Sequence, residues 1–174
     1  MNVVKEKEIG TIEQLNVTPI KKYQFITGKL LPFWIIGMGE LLFGLILGIL
    51  VFKIPLLGNP LVIFTLASVY LVVVLGMGLL ISTLTDTQQQ AMFIAWFFLI
   101  LFILMGGVFT PVESMPHWAQ TIAFFNPVAR FNGAMRMIML KGSGFKDVLS
   151  TLYFFIASAS VMMSLAVWRY RKTE

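Results

Sequence analysis

Four long apolar runs decide most of what this chain can become. They cover residues 30–52, 61–84, 91–109 and 149–168, and Glu40 is the only charge that interrupts them. Each is near the roughly 20 residues of helix that a bilayer's hydrocarbon core requires. Runs of this length do not fit strands in a small soluble sheet. Helices also satisfy every backbone group internally, which lipid demands. The expected fold is therefore all-α and integral to a membrane. It has four transmembrane helices in one domain of 174 residues.

Composition agrees. Hydrophobic residues make up 58% of the chain and charged residues 12%, where soluble domains carry about 25% charged. The net charge of +5 is read through placement rather than as a nucleic-acid footprint. Eight basic residues flank the two ends (Lys5, Lys7, Lys21, Lys22, Lys29, Arg169, Arg171, Lys172). Five fall on the other side of the spans (Lys53, Arg130, Arg136, Lys141, Lys146). An excess of Lys and Arg marks the cytoplasmic side, so both termini are expected there and residues 110–148 outside. No cleavable signal peptide is visible ahead of the first run, so the first span is expected to stay in the mature protein.

The segment ahead of the first span, residues 1–29, is punctuated. Gly10 precedes Thr11, and Gln14 lies three residues beyond it, the spacing of a capping box. A short helix is expected from Thr11 to the Thr18-Pro19 break, because a residue before proline avoids the α region. Pro19 then opens a second helix, carrying Tyr23 and Phe25 among lysines, that lies at the headgroup level before the chain turns into the bilayer. A basic anchor accounts for Lys21, Lys22 and Lys29. It does not account for Glu6, Glu8 and Glu13 further out, which favour a surface that docks a protein.

Between spans three and four the punctuation returns. Met115-Pro116 is placed to open a helix, Asn126-Pro127 to break it and open another, and Lys141-Gly142 to end that one. Trp118, Phe124 and Phe125 suit an interface. This segment reads as a helical pair, either lying on the outer leaflet or dipping into it. Arg130 and Arg136 are placed to bind lipid phosphate or to satisfy helix ends.

Glu40 is the candidate site residue inside the spans, because a carboxylate at membrane depth is functional by default. Lining a substrate path, binding a cationic drug, hydrogen bonding in protonated form to a neighbouring helix, and facing a further half of the molecule are all open to it. Gly44 and Gly48, Gly76 and Gly78, and Ser160 and Ser164 are small-residue pairs expected to pack helices within the chain. Catalysis has little to draw on. There is no cysteine, His117 stands alone, and no metal set can be assembled. The Gly28-Lys29-Leu30 stretch is not a P-loop, because Leu30 replaces the Ser or Thr that would bind Mg²⁺.

Three separated stretches closely resemble the type-2 ABC exporter permeases, the ABC-2 family of membrane subunits that work with a separate ATPase. Residues 8–19 match a family pattern, E-[KR]-G-T-[LIM]-E-Q-L-x-[VS]-T-P, at Glu8, Gly10, Thr11, Glu13, Gln14, Leu15, Thr18 and Pro19, with Ile9 where a basic residue is commoner. "GMGLLISTLTDTQQQAM" (76–92) resembles the end of one family span and the start of the next. "GGVFTPVESMPHWAQTIAFFNPVARF" (106–131) resembles an external re-entrant segment, which places Pro111, Glu113, Met115, Pro116, Trp118, Asn126, Pro127 and Arg130 in it.

The resemblance implies a coupling helix at Glu6–Pro19 pressed against an ABC ATPase subunit. ATP and Mg²⁺ would be bound on that partner and no cofactor on this chain. It also implies a second permease copy or homologue, a bacterial inner-membrane location, and export of a drug, a lipid-linked glycan or a similar substrate, including multidrug efflux. It covers the C-terminal half of a six-span permease, so an N-terminal permease half is a further expected partner. The alternative is a non-transporting membrane scaffold, an accessory subunit or a truncated permease fragment.

Overall fold

The computed structural model describes Val4 and residues 22–169. The coupling segment, with Glu6, Glu8, Gly10, Thr11, Glu13, Gln14, Leu15, Thr18 and Pro19, lies outside the described residues. Those that are described form six α-helices, α1 (Lys22–Leu50), α2 (Pro60–Leu84), α3 (Gln88–Leu104), α4 (His117–Phe125), α5 (Pro127–Lys141) and α6 (Phe145–Arg169). A single 3₁₀ turn, Val112–Ser114, precedes α4. Among the described residues there is no strand.

Among the described residues, three helices are long and apolar enough to cross a membrane, at Ile26–Leu50, Pro60–Leu84 and Phe145–Trp168. Two boundaries differ from the sequence reading. First, no break separates an interfacial helix from the first span. α1 is continuous from Lys22 and holds Pro32 inside it. Proline removes one backbone donor and crowds the carbonyl four residues back, and here that residue is Gly28. Second, α3 stops at Leu104 instead of running on to Phe109. Gly107 takes φ +71°, a conformation that glycine adopts at little cost. Seventeen residues rise about 25 Å, short of the roughly 30 Å hydrocarbon core.

At Asn126-Pro127 and Lys141-Gly142 the turn chemistry is where the sequence placed it, and two further caps accompany it. Asn59 caps α2 by accepting from the Leu61 amide at 2.8 Å, with Pro60 as first helical residue. Asn126 caps α5 in the same way through the Val128 amide at 2.9 Å, with Pro127 next. Gly142 ends α5 in the left-handed conformation, φ +67°. Thr87 caps α3 through the Gln90 amide.

The core is built on α2. Val62, Ile63, Leu66 and Val73 are buried against Val148, Phe155 and Ala159 of α6 and against Ala134 and Ile138 of α5. α2 and α6 run parallel. Tyr70 meets Phe155, with ring centroids 5.6 Å apart. Two turns on, a Cβ on Gly76 would lie 3.3 Å from Met162 Cβ. The glycine lets α6 approach closely, as small residues do between membrane helices.

α5 lies along the first half of α2. Phe131 stacks on Tyr70 at 4.3 Å and 13°. Tyr70 is ten residues, about 15 Å, along α2 from Pro60. The far end of α5 returns to the α1–α2 turn. There the Leu57 amide donates to the Met139 carbonyl at 3.1 Å, and Gly58 presses on the Ile138 carbonyl. At the opposite end of the molecule Ile26, Leu79 and Ala166 form a second buried cluster. Buried Val4 donates its amide to Ser82 Oγ at 3.0 Å there. The α1–α2 turn and the end of α5 thus share one end of the bundle, and the start of α1 and the end of α2 share the other.

Candidate functional site

Two concave features carry the chemistry. One is a groove of about 490 Å³ between α1, α2 and α5. On α1, Gly37, Glu40, Leu41, Gly44, Leu45 and Gly48 face it, the spacing of one helical face. Ala67, Tyr70 and Leu71 of α2 form the floor, and Phe131, Met135 and Met139 of α5 form the far wall. Glu40 is the one charged side chain among these lining residues. Among the described residues no hydrogen-bond or ion-pair partner reaches its carboxylate. Glu40 is exposed on α1 beside this groove.

The glycines explain why there is a groove at all. The Gly44–Gly48 pair was expected to pack helices. A Cβ on Gly44 would meet no heavy atom within 4 Å, and one on Gly48 only Ile54 at 3.7 Å. These residues open space instead of closing it. The close approach between α1 and α2 occurs about two turns earlier, where Gly37 sits under the Leu71 side chain. Trp34 Nε1 donates to the Ser68 carbonyl at 3.2 Å beside it. Of the other small pairs, Gly76 packs while Gly78 faces open space. Ser160 returns its hydroxyl to the Ile156 carbonyl of its own helix.

The second feature is a cavity of about 350 Å³ beside residues 106–136. It is lined by Gly106, Gly107, Glu113, Gln120, Phe124, Arg130, Asn132 and Arg136, among others. It shows what the polar face of α5 does. α3 ends with carbonyls that no helix continues to satisfy. Asn126 Nδ2 donates to the Phe102 carbonyl at 3.0 Å, Asn132 Nδ2 to Gly106 at 2.9 Å and Arg136 Nη2 to Gly107 at 2.7 Å. Three side chains of one helix thus complete the open end of another.

Arg130 does the same for α4. Its Nε donates to the Phe124 carbonyl at 2.8 Å, and its guanidinium lies 4.0 Å from the Phe124 ring and 4.3 Å from that of Phe154. Both arginines therefore satisfy helix ends, one of the two roles open to them from sequence. Gln120 ties the 3₁₀ turn down through the carbonyls of Glu113 and Met115. Pro111 and Pro116 begin that turn and α4. Trp118 is two-thirds exposed on the outer face.

The sequence residues are thus divided between two places. Glu40 stands in the groove. Glu113, Asn126 and Arg130 belong to the lock around the cavity, together with Asn132 and Arg136. Asn132 was missed, although its i, i+4 spacing to Arg136 marks a polar stripe on an otherwise apolar helix. Tyr70, Phe131, Met135 and Met139 were missed as groove residues, because they look like any other apolar residue of a span. Among the described residues no group of acidic, histidine or cysteine side chains is arranged to hold a metal.

Comparison with known proteins bears on these features. The family model described as "ABC-2 family transporter protein" matches residues 1–168. The chain is 32% identical to the "Probable multidrug ABC transporter permease YbhR" of Escherichia coli, over 99% of this chain and 47% of that protein. It is 30% identical to the "Probable multidrug ABC transporter permease YbhS" of the same organism, over 94% of this chain and 44% of that one. It is 24% identical to the "Linearmycin resistance permease protein LnrN" of Bacillus subtilis, over 91% and 41%. The chain spans about half the length of the curated relatives it matches. No solved structure matches it.

Proposed function

The chain belongs to the ABC-2 transporter family, and from that premise we propose that it forms the membrane-embedded part of an exporter's permease, driven by an ATPase on a separate chain. The observation that carries this reading is the span of the family match. Residues 1–168 take in the punctuated segment at Glu6–Pro19 as well as all four apolar runs.

In this reading α1, α2, α3 and α6 are the four spans of a bacterial inner-membrane protein with cytoplasmic termini. α4 and α5 form the re-entrant pair. Two features support that arrangement. Phe131 of α5 stacks about 15 Å along α2 from its start, deeper than a helix resting on the surface would reach. α3 is too short to finish a crossing alone, and an unpaired carbonyl in lipid costs several kcal/mol. The donors of Asn126, Asn132 and Arg136 meet that need from a helix entering from the far side.

Residues 6–19 act as the coupling helix against the ATPase, which binds ATP and Mg²⁺ and supplies the energy. ATP binding stabilises one arrangement of the spans over the other, which any ligand-driven change requires. The groove beside Glu40 belongs to the path that opens alternately to each side. A second permease copy and an N-terminal permease half complete the assembly.

The test exploits the absence of cysteine. Glu13→Cys, carrying a short photo-crosslinker in whole cells, is expected to trap an ABC ATPase subunit. An inserted, stable protein that traps no ATPase overturns the coupling role and leaves a scaffold.

A further inference from the structure

We propose that the groove between α1, α2 and α5 binds monovalent lipophilic cations that lack N–H donors, with Glu40 as their counter-charge. The inference rests on the permease reading in one respect, that the groove is part of the translocation path.

Size comes first. About 490 Å³ falls within the roughly 300–1,000 Å³ of small-molecule sites, which are mostly apolar with a few placed polar groups. The walls fit an apolar body. Met135 and Met139 are unbranched and polarisable, and adapt to irregular shapes. Phe131, on the same wall, stacks on Tyr70 of the floor, and aromatic rings attract cations.

Charge then narrows the class. Glu40 has no cationic neighbour among the lining residues. A carboxylate at membrane depth, set mid-way along α1 where lipid excludes water, stands to gain a counter-ion. An anion meets like charge in a low-dielectric wall. A hard divalent ion needs six or more oxygen ligands, and the lining offers one carboxylate and the Tyr70 hydroxyl. A primary ammonium brings three donors and leaves most of them unmatched against leucine and methionine, which is costly. A quaternary ammonium, a phosphonium or a delocalised aromatic cation has no such donors. It keeps its full attraction to the carboxylate.

The experiment measures equilibrium binding of radiolabelled tetraphenylphosphonium and tetraphenylborate to the full chain in zwitterionic lipid nanodiscs. The two probes share size and shape and differ in the sign of the charge. The wild-type chain is expected to bind the phosphonium saturably and the borate at least about tenfold more weakly, a difference of roughly 1.4 kcal/mol. Glu40→Gln is expected to lose most of the phosphonium binding, and Glu40→Asp to retain part of it. Equal binding of the two probes by the wild type overturns the proposal without any variant. Undiminished phosphonium binding by Glu40→Gln also overturns it.

No ATPase is needed for this readout, so it is separable from the permease reading. Phosphonium binding in a chain that traps no ATPase keeps the site and sinks the exporter. Export by a chain that binds no phosphonium sinks the site and keeps the exporter.

Discussion

α1 and α2 are both long apolar helices, yet they have opposite surroundings. α2 buries Val62, Ile63, Leu66 and Val73 between α5 and α6. α1 leaves Leu31, Phe33, Ile35, Ile36 and Phe43 about half or more exposed. Apolarity places a helix in the membrane. It does not choose a partner there, because lipid is as apolar as leucine. What separates the two helices is where their small and aromatic residues point. α2 turns Gly76 toward α6 and Tyr70 toward Phe131 and Phe155. α1 turns Gly44 and Gly48 toward the groove. It is held by Trp34 on Ser68, Gly37 under Leu71, Ile26 and Leu30 in the end cluster, and Leu41 and Leu45, which are partly buried against the main core. The molecule is thus a packed block of α2, α5 and α6 with α1 leaning on it. A wall that moves relative to the block changes the groove without disturbing the core.

The largest effect expected from this contrast lies at the edge of the block. Any Cβ on Gly58 collides with the Ile138 carbonyl, which is backbone and cannot step aside. Gly58→Leu should cost about 3 kcal/mol or more, at the upper end of overpacking penalties. It should show as a large drop in thermal midpoint and in monodisperse yield. A wild-type melt would mean that the α1–α2 turn does not seat on α5.

Next comes the polar lock. Asn126→Ala removes the donor to the Phe102 carbonyl and the acceptor for the Val128 amide together. An unpaired buried group costs about 1–3 kcal/mol, and the lost N-cap about 1 kcal/mol. The expected drop in melting is no larger than for Gly58→Leu, because helix α5 can relax around the lost side chain while the Ile138 carbonyl cannot. It should be accompanied by faster labelling of a cysteine placed at Phe109, because the end of α3 is released. Melting lowered with unchanged labelling would confine Asn126 to capping α5.

These two cases also show what sequence could and could not reveal. The punctuation around Asn126-Pro127 and Lys141-Gly142 was legible because capping is local chemistry, settled within two or three residues. The lock was not, because Asn126, Asn132 and Arg136 meet carbonyls 24 to 29 residues earlier in the chain. No periodicity carries that pairing. The apolar run to Phe109 hid the end of α3, since hydropathy is blind to the left-handed turn at Gly107. Glu40 was visible as a lone charge, while the groove around it depends on three helices meeting. The coupling segment rests on its sequence pattern and the family match.

A smaller effect is expected where α2 meets α6. Gly76→Val places new methyl groups against Met162 Cβ, already 3.3 Å from an added Cβ. A Cβ cannot swing away as the end of a side chain does, so α6 must shift as a whole. The strain, partly offset by the better helix propensity of valine over glycine, should leave a net loss of about 1 kcal/mol in the melt. A gain in stability would mean that the pair is looser than the block requires.

Gly44→Leu should change stability least, although it adds far more volume than Gly76→Val. A Cβ there has nothing within 4 Å, and leucine is better than glycine in a helix by up to about 1 kcal/mol. The melt should stay level or rise slightly. The side chain must then occupy the groove one turn from Glu40, so phosphonium binding should fall while the fold stands. A melt lowered as far as that of Gly76→Val would show that α1 packs as tightly as α2 does, and the contrast between them would collapse. A level melt with lost binding would place the difference where the glycines put it. Small residues close a contact on one helix and keep a space open on the other.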